Sequence, residues 1–137
     1  MKVYKVRKSK LAGTSYREVY NKAFLIYKGI KSKTKRTPYV RAAYFNGGKI
    51  FLTLFWGHIQ QKSWNDRARR LRYLACAIEL MAKSKYPPVS KQNPNKPQEI
   101  LHRFAGLTTE NELFYVQIKE NKSNDKKWLM SIFPDKG

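Results

Sequence analysis

Cysteine is almost absent from this chain of 137 residues, which contains one, Cys76. A single cysteine excludes an intrachain disulfide, and it excludes a structural zinc site built from several thiolates. Cys76 lies in the apolar helical run YLACAIELMA, so we expect a buried and unreactive thiol. Such cysteine usage fits a cytoplasmic protein.

Acidic residues are also scarce. The chain has 9 acids against 29 lysines and arginines, for a net charge of +20. Residues 1–65 contain 15 of the basic residues and a single acid, Glu18. Such charge destabilises the compact state by self-repulsion, and a phosphate backbone relieves it while releasing counterions. The charge therefore predicts a nucleic-acid partner, with an acidic protein partner or a purely solubilising role as the alternatives.

Long apolar runs are missing as well. No run approaches the roughly 18 residues of a membrane span, and the amino terminus MKVYKVRKSK lacks the apolar core of a signal peptide. We therefore predict no membrane partner and a cytoplasmic location. The hydrophobic fraction of 42% is nevertheless sufficient for a real core, and the length predicts one domain over residues 1–137.

The predicted domain has three parts and an α+β fold class. Residues 1–83 are expected to be mainly helical and basic, and residues 84–97 form a proline-rich crossover without regular structure. Residues 98–134 are expected to form a three-stranded antiparallel sheet with short turns. The fold prediction is therefore N-terminal helices packed against a small C-terminal antiparallel β-sheet.

Two helices carry clear apolar stripes. The first is capped by Thr14 or Ser15, with Glu18 completing a capping box, and is expected to end near Gly29. The second is expected to be capped by Asn65 or Asp66 and to run to about Lys83, with arginines in its first half. Cations there oppose the helix macrodipole, so a phosphate contact by Arg67 and Arg70 is one interpretation and a solvated face is the other.

The segment between these helices is ambiguous. Residues 39–45 have strand character, and the turn signal Asn46-Gly47 allows a hairpin with the residues that follow. The three- and four-residue spacing of the apolar side chains favours a helix over residues 51–61 instead.

Alternation along the predicted strands separates two faces. In the second strand, residues 113–120, Tyr115, Gln117 and Lys119 share one face, opposite an apolar set. In the first strand, adjacent His102 and Arg103 must point to opposite faces unless a bulge intervenes. In the third strand, residues 127–133, alternation groups Ser131 with apolar neighbours.

These side chains suggest metal-free cleavage of RNA by its own 2′-hydroxyl. His102 could transfer a proton, although a hydrogen-bonded structural histidine is the alternative; Lys119 and Arg103 could stabilise a developing negative charge. Acids for a two-metal site are scarce, and no Walker or Rossmann glycine loop is present, so we predict no metal and no cofactor. The predicted catalytic set is His102, Lys119, Ser131 and Arg103; the predicted nucleic-acid-binding set is Arg67, Arg70, Tyr115, Gln117 and Lys62.

The strings ILHRFAG at 100–106, FYVQIKE at 114–120 and LMSIFP at 129–134 resemble members of the barnase–EndoU–colicin–RelE group of small nucleases, particularly its phage and mobile-element branches. DRARRL at 66–71 adds to the resemblance, which covers about half of the chain. It implies helices on a small antiparallel sheet, metal-independent endoribonuclease activity and a toxin held in check by an antitoxin or immunity protein. The resemblance implies that His102, Lys119, Arg103 and Ser131 are the catalytic residues of this chain.

The predicted function is therefore a metal-independent endoribonuclease that acts on RNA, with tRNA as one substrate, as the toxin of a toxin–antitoxin or mobile-element system. The predicted partners are RNA and an acidic antitoxin or immunity protein. The alternative is a non-catalytic basic module or regulator that binds nucleic acid. Convergence of His102 with Lys119 and Ser131 distinguishes the two, because a histidine in the core favours the binding module.

Overall fold

The computed structural model describes residues 2–135, which form seven strands and four helices. In chain order these are β1 (Val3–Lys5), α1 (Tyr16–Lys33), β2 (Tyr39–Ala42), β3 (Gly48–Phe51), α2 (Thr53–Ile59), α3 (Trp64–Leu71), α4 (Leu74–Lys83), β4 (Val89–Asn93), β5 (Lys96–Leu107), β6 (Leu113–Asn121) and β7 (Lys126–Pro134).

One curled, mixed sheet contains all seven strands of the described part of the chain. Its order is β1-β5-β6-β7-β3-β2, and β4 pairs with the stretch of β5 that β1 leaves free. The predicted fold, with helices packed against a small C-terminal antiparallel sheet, is therefore wrong. The three predicted strands exist, but three strands alone leave both outer edges unpaired, and strands from earlier in the chain pair along one edge and part of the other.

The hairpin of β2 and β3 accounts for part of this error. Asn46 and Gly47 both adopt positive φ, at 55° and 83°, which asparagine and glycine tolerate and which a tight reversal needs. The sequence allows either a hairpin or a helix in this region, and the chain contains both. β3 ends at Phe51, and α2 starts at Thr53.

Strand β4 lies in the segment predicted to lack regular structure, so that prediction is also wrong. Pro87 and Pro88 precede the strand, and Pro94 lies in the turn to β5, where Asn93 Oδ1 accepts a hydrogen bond from Asn95 N at 3.0 Å. These three prolines therefore lie outside β4, and its pairing with β5 is regular from Val89 to Gln92, shifting only between Gln92 and Asn93.

The helices differ from the prediction at their ends. Ser15 caps α1, accepting a hydrogen bond from Glu18 N at 3.3 Å, as predicted. The helix continues past Gly29 to Lys33 because a glycine in right-handed helical conformation weakens a helix without ending it. The predicted second helix is two helices, since α3 ends at Leu71 and α4 begins at Leu74.

The core lies between the helices and one face of the sheet. Phe114, Val116, Ile118, Leu129 and Ile132 from β6 and β7 are fully buried, and they form one cluster with apolar residues of α2, α3 and α4. We call this side of the sheet the helix-facing face. Gly106 is required here, because a Cβ at this position would lie 2.4 Å from the ring of Phe114 and 2.8 Å from Leu80.

The N-terminal segment is tied to α4 by a buried carboxylate. Glu79 is 6% exposed and accepts hydrogen bonds from Arg7 N and Lys8 N at 2.9 Å. One turn away, the Cys76 thiol is buried and lies 3.3 Å from the Lys8 carbonyl oxygen. Burial, followed by the nearby Glu79 charge, raises the pKa of Cys76 to about 11, so this thiol is buried and protonated at neutral pH, as expected.

Within residues 2–135, no helix combines the length and the apolar character that a bilayer crossing requires.

Candidate functional site

The side of the sheet that faces away from the helices presents a basic and aromatic surface, which we call the open face. Cross-strand pairs define it: Leu101 lies opposite Lys119, Arg103 opposite Gln117, and Ser131 opposite Gln117 on the other side. The open face consists of Leu101, Arg103, Tyr115, Gln117, Lys119, Trp128, Ser131 and Phe133. Its side chains are at least partly exposed, whereas their neighbours on the helix-facing face are buried.

A β-bulge in β7 gives the open face its composition. Gln117 pairs with Ser131 and Ile118 pairs with Leu129, so Met130 is the extra residue. In a regular strand, Ser131 and Trp128 would lie on opposite faces because they are three residues apart. Because the bulge shifts the alternation by one residue, both lie on the open face, and no residue type in LMSIFP marks the bulge in advance.

Arg103 and two rings form the centre of the open face. The guanidinium carbon of Arg103 lies 5.6 Å from the ring centroid of Tyr115 and 5.3 Å from that of Phe133. The two rings lie 5.4 Å apart, centroid to centroid. A planar cation over two ring faces is held in place while its remaining N–H groups stay free to donate to a ligand. Burial, and then Asp135, raises the pKa of Tyr115, which stays a neutral hydroxyl at physiological pH.

A groove beside this cluster crosses three strands. It has a volume of about 300 Å³ and is lined by Val89, Lys91, Leu101, Arg103, Tyr115 and Gln117. Next to the groove, the Lys119 ammonium lies 5.4 Å from the ring centroid of Trp128. The groove thus offers an apolar floor, an amide and cations within one open depression.

Arg70 approaches the open face from α3. Its Nη1 donates to Ser131 Oγ at 2.9 Å and to the Ile132 carbonyl at 3.3 Å, and its guanidinium lies 5.9 Å from the Phe133 ring centroid. Asp66 orients Arg70 by accepting a hydrogen bond from Arg70 Nε at 3.0 Å. The same carboxylate accepts a second hydrogen bond from Arg69 Nη2 at 2.8 Å. Burial raises the pKa of Asp66, but the hydrogen bonds from Arg69 and Arg70 outweigh it, and the net shift is downward.

Arg67 and Lys62, the other two predicted basic contacts, lie at the junction of α2 and α3. Arg67 Nε donates to the Lys62 carbonyl at 2.8 Å, and Arg67 Nη2 donates to the Gln60 carbonyl. The Arg67 guanidinium also lies 6.0 Å from the Tyr16 ring centroid. Arg67 therefore fixes the junction between the helices, and the Lys62 side chain is exposed beside it.

His102 lies on the other side of the sheet. It is 7% exposed on the helix-facing face, where Nδ1 lies 2.7 Å from Ser90 Oγ and Nε2 lies 2.7 Å from Glu120 Oε1. Lys127 Nζ follows at 3.6 Å from Glu120 Oε2. The structure thus brings Arg103, Lys119 and Ser131 to one face and separates His102 from them by the thickness of the sheet.

A comparison of the chain with protein-family models, with curated proteins and with solved structures finds no match in any of the three. The resemblance to the barnase–EndoU–colicin–RelE group, and the toxin role that it implies, therefore stay predictions. The site must be interpreted from its own geometry.

Sequence reasoning missed part of the open face. Phe133 and Trp128 are apolar in composition and give no sign of a binding role in the sequence, and Lys91 lies on β4, a strand that the sequence does not predict. Lys91 pairs with Leu101, and Val89 pairs with Arg103, so these two residues join the groove only once β4 is paired with β5.

Proposed function

We propose that the protein binds single-stranded RNA on the open face of its sheet. The observation that carries the proposal is Arg103 lying over Tyr115 and Phe133, on a face that also holds Lys119 and Gln117. Aromatic rings and guanidinium planes on an open sheet are surfaces on which unpaired bases stack, while nearby cations contact the phosphates. The net charge of +20 supplies the long-range attraction.

A single strand fits this face better than a duplex. Base stacking needs bases whose faces are accessible, and these are occupied within a double helix. Gln117 and Ser131 add hydrogen-bonding groups of both kinds, which suit a 2′-hydroxyl that donates and accepts. RNA is therefore the preferred ligand, and a DNA oligonucleotide of the same sequence is the natural comparison.

Fluorescence anisotropy with a labelled oligouridine of about 16 nucleotides tests the proposal. We expect Arg103→Ala to weaken binding by about tenfold, because stacking contacts contribute roughly 1–3 kcal/mol per base. Arg7→Ala removes the same charge from an exposed side chain outside the open face and should weaken binding by about twofold or less, as expected for loss of long-range attraction alone. Tyr115→Phe keeps the ring and should bind like the wild type, whereas Tyr115→Ala should not.

Equal losses in Arg103→Ala and Arg7→Ala would show that binding depends on total charge alone, and the open face would then not be the site. A duplex RNA bound as tightly as the single strand would contradict the stacking argument. Circular dichroism of each variant establishes that it is folded before its affinity is compared.

Cleavage of RNA at the same face is the second candidate. The cluster of Arg103, Lys119 and Ser131 favours it, since cations and a hydroxyl on one face can hold a phosphate. His102 lies across the sheet, so a reaction at the open face would need another proton carrier. Incubation of total RNA with the protein in excess EDTA tests this: intact RNA rejects metal-free cleavage.

A further inference from the structure

A second aromatic surface lies on the helices, away from the open face. Tyr16, Tyr20, Phe24 and Tyr27 are spaced by three or four residues along one side of α1. Trp56 of α2 lies against this stripe, with ring centroids 4.4 Å from Tyr27 at an interplanar angle of 6°, and 5.7 Å from Tyr20. The stripe is thus a built stack of rings that continues from one helix to the next.

The far end of the stripe opens into a depression of about 660 Å³, which we call the aromatic cleft. This volume lies in the range of roughly 300–1,000 Å³ that is typical of sites for small planar ligands. The cleft is lined by Phe24, Tyr27, Lys28, Lys31, Ser32 and Trp56. Phe24 is 39% exposed, so the rings are accessible to a ligand from solvent.

The two lysines of the cleft are free to bind an anion. Lys28 and Lys31 are exposed, and neither forms a salt bridge within residues 2–135. They lie in the half of the chain where Glu18 is the only acid, and Glu18 is at the opposite end of α1. A ligand of the cleft must therefore combine a flat apolar part with negative charge.

Arginines of α3 and rings of α1 and α2 lie between the open face and the cleft. Arg70 lies over Phe133, Arg67 follows one turn earlier on α3, and Arg67 lies over Tyr16. From there the rings continue, with Tyr16 and Tyr20 at 5.6 Å and Tyr20 and Trp56 at 5.7 Å between centroids. Basic and aromatic side chains of α1, α2 and α3 therefore lie between the two sites.

We propose that the aromatic cleft is a second site for the same RNA strand, in which an unpaired base stacks on the rings and the adjoining phosphates contact Lys28 and Lys31. The inference rests on the proposed function, because the strand must also occupy the open face. A polynucleotide alternates a planar base with a negative phosphate, which is the combination that the cleft presents. The protein then covers more nucleotides of the RNA strand than the open face alone can hold.

Oligonucleotide length separates the two sites. An oligouridine of about 4 nucleotides can contact one site at a time, and we expect it to occupy the open face, which has more stacking and cationic groups; one of about 16 can reach both sites. We expect the double variant Lys28→Ala/Lys31→Ala to weaken binding of the long RNA by about tenfold and to leave binding of the short RNA within about twofold. The slope of log affinity against log salt should become shallower by about 1.4 for the long RNA only, because each of the two lost phosphate contacts contributes about 0.7 on a single strand.

Lys83→Ala/Lys85→Ala is the matched control, since it removes two exposed lysines that line neither the cleft nor the groove. For the long RNA, Lys28→Ala/Lys31→Ala should weaken binding more than this control does. Equal effects of the two double variants, or equal losses for the short and the long RNA, would overturn the proposal.

Tryptophan fluorescence gives a direct readout. In a Trp64→Phe/Trp128→Phe background, Trp56 is the only tryptophan, and Trp128→Phe keeps a ring on the open face. Addition of the long RNA should quench Trp56 emission, and the short RNA should not. Binding of the long RNA without quenching would assign the cleft to another class of ligand and reject this inference, whereas no binding of either RNA to the wild type would reject the proposed function itself.

Discussion

Adjacent residues His102 and Arg103 have opposite environments. Arg103 is exposed over two aromatic rings, whereas His102 is buried between Ser90 and Glu120. The period of two in a strand requires this separation, and β5 has no bulge at this point. A buried histidine with both ring nitrogens in short hydrogen bonds is well suited to holding strands β4, β5 and β6 in register.

The first test at the residue scale is therefore His102→Ala. We expect it to lower the free energy of unfolding by about 1–3 kcal/mol, because Glu120 loses a buried hydrogen-bond partner. Affinity for single-stranded RNA, measured on the folded variant, should stay within about twofold of the wild type. Urea denaturation and anisotropy provide the two measurements.

His58→Ala, which removes the other histidine from α2, serves as the control for the loss of an imidazole. One result would contradict a structural role for His102: the wild type cleaves RNA in EDTA, and His102→Ala abolishes that cleavage without changing the free energy of unfolding. His102 would then act in chemistry, as the sequence predicted.

At the scale of elements, the free edge of β7 explains the arrangement of α3. β3 pairs with β7 only at residues 127 and 128, so the carbonyl of Ile132 has no partner strand on that side. Arg70 donates to this carbonyl, and Asp66 holds Arg70 from the first turn of α3. The arginines of α3 are therefore used largely in tying the helix to the sheet edge and to the junction with α2.

Asp66→Asn tests this tie. At pH 7 we expect a loss of about 1–2 kcal/mol in the free energy of unfolding, since both arginines lose a charge-assisted acceptor at a partly buried site. The folded pKa of Asp66 is lowered from an ordinary value of 3.8, so its contribution is fully present above about that pH. The contribution disappears as the pH falls through the folded pKa, and the variant and the wild type should converge there.

Urea denaturation at pH 7 and at successively lower pH measures the convergence. Glu110→Gln is the control, because it removes a negative charge from an exposed turn and raises the net charge equally. A difference between wild type and Asp66→Asn that persisted unchanged at low pH would contradict the linkage.

Sequence patterns predicted individual strands and helices better than they predicted which strands pair with one another. The alternation in FYVQIKE located β6, and the Ser15 cap located the start of α1. The break between α3 and α4 was missed because the apolar stripe continues across Tyr73, which packs on Phe114 with ring centroids 5.5 Å apart. Strand β4 was not predicted because the prolines near its ends indicate irregular structure for the whole segment.

For the whole molecule, charge has two opposite consequences. Positive self-repulsion destabilises the free protein, and the same charge attracts a polyanion. Salt screens both effects, since the Debye length shortens to about 10 Å at 0.1 M.

We therefore expect added sodium chloride, from about 0.05 M to about 0.5 M, to raise the urea midpoint of the free protein and to weaken RNA binding over the same range. Urea titrations and anisotropy at each concentration measure the two trends. Chloride is used because sulfate would strengthen apolar burial by itself. An RNA affinity that did not change with salt would contradict a phosphate-contacting surface.

The amino-acid sequence by itself determined the properties that depend on neighbours along the chain. These are the basic charge, the helix cap at Ser15, and the placement of Tyr115, Gln117 and Lys119 on one face of β6. Each follows from composition, from hydrogen bonds within one turn or from the period of a strand.

Only the tertiary structure decided which of these surfaces meet. The pairing of β4 with β5, the bulge at Met130 and the reach of Arg70 to Ser131 join residues distant in sequence, and their energies depend on packing that no local pattern encodes. For the same reason the sequence could pair His102 with Lys119 in a hypothesis, whereas the folded sheet places them on opposite faces.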